Sequence, residues 1–210
     1  SHSKIGEVAL AHNGLLFFDE LPHFSKSILE ALREPLEDHK ILISRVNSKI
    51  EYAANFLFCA AMNPCPCGNL LSQNRECRCS DLEINRYKNR LSDPFLDRID
   101  LVVNMSESKL DDTADMSSEE LFTQLLIAFS AQKKRGQKNL NGKLSEADIH
   151  HFCQLSEELN STLNQAITRF SLSLRAVDKI KKVARTIADL ENSKEIQKRH
   201  LLEAFSYRYR

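Results

Sequence analysis

Two adjacent carboxylates, Asp19 and Glu20, directly follow a run of four apolar residues at positions 15–18. Such a run predicts a strand that is buried on both faces of a parallel sheet. Open α/β sheets bind ligands at the carboxyl ends of their strands, which is where this pair lies. In phosphoryl chemistry the first carboxylate of such a pair holds Mg²⁺, usually through water, and the second polarises the attacking water. The pair therefore predicts a Walker B site, and the alternative is a buried strand that ends in a solvated acidic turn.

Four of the six cysteines form two C-x-C arms with nine residues between them: Cys65, Cys67, Cys77 and Cys79. Four thiolates on two short arms suit tetrahedral Zn²⁺ in a closed structural site that leaves no open position for catalysis. Free thiols are the alternative. Cys59, in a predicted strand, and Cys153, on a predicted helix, are expected to be plain core residues.

Other polar residues follow predicted strands or turns. Asn63 comes after a second apolar stretch, residues 55–61, which also predicts a buried strand. An asparagine there can hydrogen-bond a phosphate or a water molecule, or it can simply cap the turn before Pro64.

Arg45 and Lys49 lie near the turn of a predicted β-hairpin. Basic residues on a hairpin can track nucleic-acid phosphates by charge alone, although two basic residues on a turn are also an ordinary surface feature.

The elements that must position these side chains form an α/β segment in the first half of the chain. A helix capped by Ser25 is expected to kink or end at Pro35. Ser80 and Glu83 supply a capping box for a second helix. A third parallel strand is predicted over residues 100–104.

The second half of the chain has a different character. After a polar and acidic segment at residues 106–116, every apolar stretch has the spacing of an amphipathic helix. The predicted helices span about 117–135, 145–152, 156–170, 173–190 and 197–207. The chain is therefore expected to hold an α/β domain over residues 1–105, a linker over 106–116 and an all-α domain over 117–210.

The overall composition excludes several functional classes. The 29 basic and 29 acidic residues cancel, so the molecule as a whole is not an electrostatic nucleic-acid binder. No stretch resembles a signal peptide or a membrane span of about 20 apolar residues, and six cysteines without a secretory segment favour the cytoplasm. None of the five glycines belongs to a G-x-x-x-x-G-K-[ST] phosphate loop, so such a loop is expected to precede residue 1 in a longer protein.

Taken together, these segments resemble the magnesium-chelatase-like AAA+ ATPases, and within them the bacterial competence proteins. The strings that carry the resemblance cover nearly the whole chain: GEVALAHNG at 6–14, LP at 21–22, LREPLED at 32–38, AAMNPCPCG at 60–68, LDRIDL at 96–101 and ARTIADL at 184–190. The resemblance implies that the chain holds part of an AAA+ parallel-sheet core with a β-hairpin insert, followed by an all-α lid.

The resemblance also assigns roles to individual residues. Asn63 corresponds to sensor 1, beside the γ-phosphate of ATP, and Arg98 corresponds to the arginine finger, which reaches the nucleotide of a neighbouring subunit. An arginine flanked by Asp97 and Asp100 can instead be only a salt-bridge element. Arg175 corresponds to sensor 2 on the lid, acting in its own subunit or in a neighbour, and the alternative is one of several solvated arginines on a helix.

The protein implied by the resemblance is an ATP-driven DNA helicase or branch-migration motor in natural transformation and recombination. It would use ATP with Mg²⁺ held by Asp19, carry structural Zn²⁺, assemble with itself into a hexameric ring, and bind single-stranded or branched DNA through Arg45 and Lys49. This chain alone is expected to be inactive because it lacks the phosphate loop. Two other functions stay open. One is a chelatase-type ATPase subunit that assists metal insertion into a tetrapyrrole, although the cysteine loop argues against it. The other is a non-catalytic interaction module.

Overall fold

The computed structural model describes residues 5–45, 48–106 and 112–209. Within them the chain divides into two compact units. One unit comprises the described residues up to Ile99 together with Met105 and Ser106, and the other comprises Asp100–Asn104 and the described residues from Asp112 onward. No helix in these three stretches combines the length and the apolar character that a membrane span requires.

The first unit combines a parallel strand pair, a β-hairpin and short helices, which is the predicted α/β character. Its elements in chain order are α1 (Glu7–Leu10), β1 (Leu15–Phe18), α2 (Lys26–Ala31), α3 (Arg33–Asp38), β2 (Lys40–Arg45), β3 (Ser48–Ala53), β4 (Leu57–Ala60), α4 (Asp81–Lys88) and α5 (Asp93–Leu96).

Strands β1 and β4 pair in parallel, with Phe18 opposite Ala60. One face of this pair lies on a core cluster that comprises Leu16, Leu21, Leu29, Leu32, Leu91 and Phe95. The prediction that β1 is buried on both faces is wrong for this chain, because Leu15 and Phe17 are 56% and 54% exposed. Successive side chains of a strand point to opposite faces, and the core of this unit covers only one of them.

Local sequence signals explain the helix boundaries of the first unit. The side chain of Ser25 caps α2, as predicted. Pro35 has no N–H for the carbonyl group four residues earlier, and the helical path is broken at Leu32 into α2 and α3. Ser80 and Glu83 form the predicted capping box at the start of α4.

The predicted β-hairpin is also present. Strands β2 and β3 pair antiparallel, with Ser44 opposite Lys49. The turn residues Val46 and Asn47 lie outside the described residues.

The second unit is helical, as predicted. Its helices are α6 (Ser118–Lys134), α7 (Glu146–Phe152), α8 (Glu157–Phe170), α9 (Leu174–Leu190) and α10 (Lys198–Ser206). Helix α9 lies at the centre and contacts α6, α7 and α10. One face of α9 is apolar at helical spacing and enters the core of the unit through Val177, Ile180, Ala184, Ile187 and Ala188.

Residues 100–104 form no strand, so the prediction of a third parallel strand there is wrong. The segment groups with the second unit. The backbone N–H of Val102 donates to the carbonyl oxygen of Tyr207 over 2.7 Å, and Lys179 Nζ lies 3.9 Å from an oxygen of Asp100. An apolar run becomes a strand only beside another strand that pairs with its backbone groups, and here the chain beyond α10 supplies a backbone partner instead.

A buried ionic network joins the end of α6 to α9. Asp189 is fully buried, and its carboxylate accepts hydrogen bonds from Arg135 at 2.5 and 2.6 Å and from Asn141 at 2.8 Å. Arg185, one turn earlier on α9, is 3% exposed and donates to the same carboxylate over 3.1 Å. The two guanidinium groups compensate the cost of burying the negative charge, so each charge in the network depends on the others.

We expect Asp189→Ala to lower the free energy of unfolding by about 3–5 kcal/mol, because it leaves the buried Arg185 and the partly exposed Arg135 without the carboxylate that they share. Urea denaturation followed by circular dichroism measures the change. The matched control is Asp115→Ala, which removes an exposed carboxylate and should change the free energy by less than about 0.5 kcal/mol. Equal stability of the two variants would contradict the role given to the network.

Candidate functional site

The carboxylate pair and Asn63 lie at the same edge of the parallel strand pair. Asp19 and Glu20 follow β1, and Asn63 follows β4. Two backbone hydrogen bonds join the segments just beyond the strands: Ala61 N–H donates to the carbonyl oxygen of Phe18 over 2.8 Å, and Leu21 N–H donates to that of Ala61 over 3.0 Å. Parallel pairing thus places an acidic pair and an amide beside each other, as the sequence predicts.

The backbone turns sharply at Glu20. This residue has φ 50° and ψ 48°, in the left-handed region that side chains other than glycine rarely adopt. Such a conformation costs about 1–3 kcal/mol and is often found at functional sites. The Glu20 N–H donates to Asp19 Oδ1 over 2.9 Å, and both side chains are exposed. The two carboxylates are therefore open to a ligand at the strand end.

Arg98 follows α5 and is held within its own chain. Its Nη2 donates to Glu37 Oε2 over 2.6 Å, its Nη1 donates to the carbonyl oxygen of Pro94 over 2.5 Å, and its side chain is 15% exposed. Its buried Nε has no hydrogen-bond partner among the described residues. Arg98 therefore forms an ion pair, which is the alternative role that the sequence analysis gave it. Sequence analysis missed Glu37 as its partner because 61 residues separate the two.

Arg175 lies in the first turn of α9, with Ser173 capping the helix, and is exposed. It belongs to the other compact unit from Asp19. Its role as sensor 2 stays a prediction.

The two basic residues of the hairpin end up near its tip. Lys49 is exposed on β3, opposite Ser44. Arg45 ends β2 and pairs with Ser48 through the backbone, while its side chain lies outside the described part of the chain. Their contact with DNA stays a prediction.

Four sulfurs converge in the loop between β4 and α4. The Sγ–Sγ distances are 3.5 Å for Cys65–Cys67 and 3.7 Å for Cys65–Cys77 and for Cys67–Cys77, and all four ligand atoms, including that of Cys79, lie within 4.8 Å of one another. A tetrahedral zinc site with Zn–S bonds of about 2.3 Å needs sulfurs about 3.8 Å apart. The cluster therefore fits one tetrahedral metal ion.

A tight turn shapes the first arm of this loop. Gly68 has φ +79°, where a side chain would be strained, and its N–H donates to the carbonyl oxygen of Cys65 over 3.0 Å. The turn brings Cys67 back towards Cys65, which is fully buried. Cys59, by contrast, is exposed on β4 rather than in the core, whereas Cys153 is buried as predicted.

The surroundings of the cluster give its thiol groups different pKa values. Backbone N–H groups of Asn69 and Arg78 lower the pKa of Cys67 to about 6, whereas burial raises the pKa of Cys79 to about 12. Neighbouring thiols cannot all ionise by themselves, because thiolates in contact repel each other. A divalent cation removes that repulsion and holds coordinating thiols in the deprotonated form.

Two residues of the segment after the cysteine loop contact the segment that follows Glu20, and sequence analysis did not single them out. Tyr87 is buried on α4, and its ring meets that of His23 edge-on, with the ring centroids 6.3 Å apart. Arg90 Nη1 donates to the carbonyl oxygen of Pro22 over 3.2 Å. The polar sequence of α4 gives no signal of these contacts, since they join positions far apart in the chain.

Comparison with known proteins agrees with this architecture. A family model described as magnesium chelatase, subunit ChlI, matches residues 1–113, and that of the ChlI C-terminal region matches residues 115–208. The chain is 42% identical over 210 residues to competence protein ComM of Haemophilus influenzae, covering 98% of this chain and 41% of that protein. It is 44% identical over 208 residues to YifB of Escherichia coli, covering 97% and 40%. The chain thus spans about two fifths of the length of these relatives. It belongs to the magnesium-chelatase-like family of AAA+ proteins.

Proposed function

We propose that this chain supplies the catalytic edge and the lid of an ATPase. The observation that carries the proposal is the parallel pairing of β1 with β4, which puts Asp19, Glu20 and Asn63 at one edge of the sheet. Such an edge suits nucleotide hydrolysis once a phosphate-binding loop is present, and no glycine of this chain belongs to one. ATP turnover is therefore a property of the full-length protein.

Each polar residue at this edge has a distinct part in the proposed reaction. Asp19 holds Mg²⁺, directly or through water, and the ion neutralises charge on the phosphates. Glu20 accepts a proton from the attacking water or orients it. Asn63 donates a hydrogen bond to the γ-phosphate or to that water. The exposure of all three side chains supports these roles.

Arg98 is proposed to act on the nucleotide of a neighbouring subunit in a hexameric ring. A guanidinium group stabilises negative charge that develops during phosphoryl transfer. In the isolated chain Glu37 holds this group. At a subunit interface Arg98 would exchange the carboxylate of Glu37 for the phosphate oxygens of the neighbour, so Glu37 keeps the side chain ordered until assembly. Arg175 of the lid is proposed to couple lid position to the γ-phosphate.

DNA is the proposed substrate of the motor, with branch migration or unwinding during natural transformation and recombination as its activity. A relative at 42% identity carries the name competence protein, and the hairpin places Lys49 and the end of β2 near one tip.

The second candidate is a chelatase-type ATPase subunit that assists metal insertion, which the name of the family supports. Stimulation of the full-length ATPase by DNA separates the two functions.

The cysteine cluster is proposed to hold one structural Zn²⁺. Its four ligands, its sulfur spacing and the absence of a fifth neighbouring ligand group among the described residues fit a closed tetrahedral site. Such a site stabilises a loop and does not itself take part in catalysis.

We expect Glu20→Gln in the full-length protein to bind ATP normally and to lower kcat by about 10²- to 10⁴-fold, because the amide keeps the shape of the side chain and loses the basic oxygen. A coupled assay for phosphate release and titration with a fluorescent ATP analogue measure both quantities. The matched control is Glu7→Gln on α1, an exposed glutamate away from the strand end. An unchanged kcat in Glu20→Gln would remove this residue from the mechanism.

Subunits of two inactive variants should restore activity when mixed. An Arg98→Ala subunit retains Glu20, and a Glu20→Gln neighbour offers it an intact Arg98, so mixed interfaces hydrolyse ATP if the arginine acts across the interface. The ATPase rate is measured over a series of mixing ratios. Action on a neighbouring subunit loses its support if every ratio stays inactive while mixed rings form.

We expect the full-length protein, purified without chelator, to contain one zinc ion per chain, and Cys77→Ser to lose it. Serine is a poor ligand for zinc in place of a thiolate. Cys59→Ser is the control, because Cys59 lies on β4 outside the cluster. Atomic emission spectroscopy gives the zinc content. Zinc that stays bound in Cys77→Ser, or is absent from the wild type, would contradict the site.

Replacing Arg45 and Lys49 together by alanine should weaken DNA binding for all sequences. Each lost phosphate contact should also reduce the slope of log K against log salt by about one unit. The measurement is fluorescence anisotropy with single-stranded and branched DNA at several salt concentrations. The control, Lys133→Ala with Lys134→Ala, removes the same charge from exposed positions at the end of α6. Equal affinity and slope in the hairpin variant and the wild type would show that the hairpin does not bind DNA.

A further inference from the structure

The end of α3 connects the ion pair of Arg98 to the base of the hairpin. Glu37 lies in the last turn of α3, and Lys40 begins β2 three residues later. Glu37 Oε2 accepts a hydrogen bond from Arg98 Nη2 over 2.6 Å. One short segment of the chain therefore carries the partner of Arg98 and the first strand of the hairpin.

The segment between Glu37 and the hairpin is fixed by backbone hydrogen bonds. His39 ends α3 in the left-handed region, with φ 55° and ψ 29°, and its N–H donates to the carbonyl oxygen of Pro35 over 3.1 Å. The carbonyl oxygen of His39 accepts the N–H of Ala54, the residue after β3, over 2.8 Å. Both strands of the hairpin are thus attached at His39, so a tilt of the hairpin is transmitted to the last turn of α3.

The hairpin forms a lever on this base. Each of its strands has six residues, which at about 3.3 Å per residue gives an arm of about 17 Å. Lys49 lies near the tip, opposite Ser44, whereas Lys40 lies at the base, where its Nζ is 3.2 Å from Glu51 Oε2. The two strands are paired along their length, so a displacement of the tip is carried to the base.

The guanidinium group of Arg98 is held but not saturated with hydrogen bonds. Besides Glu37 it reaches the carbonyl oxygen of Pro94, and its buried Nε has no partner among the described residues. A guanidinium group has five N–H donors, and one that is buried without an acceptor is unfavourable. The present position therefore leaves a donor unsatisfied, which favours movement of the group to another anion.

The exposure of the ion pair suits a restraint that can be released. The side chain of Glu37 is 40% exposed, so solvent reaches the carboxylate side of the pair. Ion pairs that are open to solvent change an equilibrium by a factor of about two to five. A ligand shifts such an equilibrium by no more than its preference for one of the two states. Release of Arg98 is therefore expected to change activity by a similar factor.

We propose that Glu37 restrains Arg98, and that nucleic acid bound at the hairpin releases it. This inference rests on the proposed function, in which Arg98 acts on the nucleotide of a neighbouring subunit. While Glu37 holds the guanidinium group, the group does not reach the phosphates of the neighbour. Phosphates bound near Lys49 displace the hairpin, move the last turn of α3 and separate the two charges. Glu37 is thus a positioning residue, which touches no nucleotide and acts through Arg98.

The test compares Glu37→Gln with wild type in the full-length protein, each with and without single-stranded DNA. Glutamine keeps the size of the side chain and removes its charge. Glu34→Gln is the matched control, since it removes an exposed carboxylate from the same helix. Steady-state assays give kcat and KM for MgATP. Reaction of Arg98 with phenylglyoxal in the absence of nucleotide, followed by mass spectrometry of its peptide, measures how often the guanidinium group is released.

We expect Glu37→Gln to raise kcat without DNA by about two- to fivefold, and to label Arg98 faster by a similar factor, because a full charge no longer holds the guanidinium group. KM for MgATP should change by less than about twofold, since Arg98 stabilises charge that develops during the reaction rather than bound ATP. DNA should accelerate turnover and labelling in the wild type and in Glu34→Gln, and it should add little to either in Glu37→Gln.

The proposal is overturned if Glu37→Gln labels Arg98 no faster than Glu34→Gln does, or if DNA accelerates labelling by the same factor in Glu37→Gln and in the wild type. A fall in kcat in Glu37→Gln also overturns it, because Glu37 would then hold Arg98 in its active position.

Failure of the proposed function has a different signature, namely a wild-type protein that turns over no ATP or binds no DNA in an anisotropy titration. Absence of DNA binding overturns release through the hairpin as well. In either case, the labelling of Arg98 without DNA still decides whether Glu37 restrains the guanidinium group: faster labelling in Glu37→Gln than in Glu34→Gln supports the restraint, and equal labelling overturns it.

Discussion

The parallel pairing of β1 with β4 is the constraint on which the candidate site depends. The carboxyl ends of paired parallel strands lie at the same edge of the sheet. The residues that follow the two strands are therefore neighbours, independently of the sequence that connects the strands. In this chain 38 residues separate Phe18, the last residue of β1, from Leu57, the first residue of β4, and they include α2, α3 and the hairpin. Asp19 and Asn63 nevertheless lie at one edge. The backbone bond from Leu21 to Ala61 extends that register beyond the strands. A slip of this pairing would separate the carboxylates from the amide.

The rest of the first unit supports this edge from one side. The core cluster with Leu16, Leu29 and Phe95 fills one face of the strand pair, and the ring of Tyr87 on α4 meets that of His23, three residues after Glu20. The cysteine cluster, of which Cys65 is buried, follows the same edge two residues after Asn63. Strain at Glu20, in the left-handed region, is tolerated because neighbouring hydrogen bonds fix the turn.

Local sequence patterns predicted most helices and the hairpin of this fold, but not the contacts between residues that are distant in sequence. Helices α6–α10 follow from the helical spacing of their apolar residues, and the hairpin follows from alternation of apolar and polar residues. The strand expected at residues 100–104 does not form, because an apolar run cannot specify which partner satisfies its backbone. The Arg98–Glu37 ion pair and the hydrogen bond from Arg90 to Pro22 join distant positions, and no local signal encodes them. The exposed second face of β1 likewise depends on what lies beside the sheet.

A structure of the full-length protein with Mg²⁺ and a non-hydrolysable ATP analogue tests the central claim most directly. The account predicts that the γ-phosphate lies at the edge formed by β1 and β4, with Asp19 at the metal or at one of its waters and the Asn63 amide at the phosphate or the attacking water. A nucleotide bound elsewhere, with Asp19 and Asn63 both facing solvent, would contradict it.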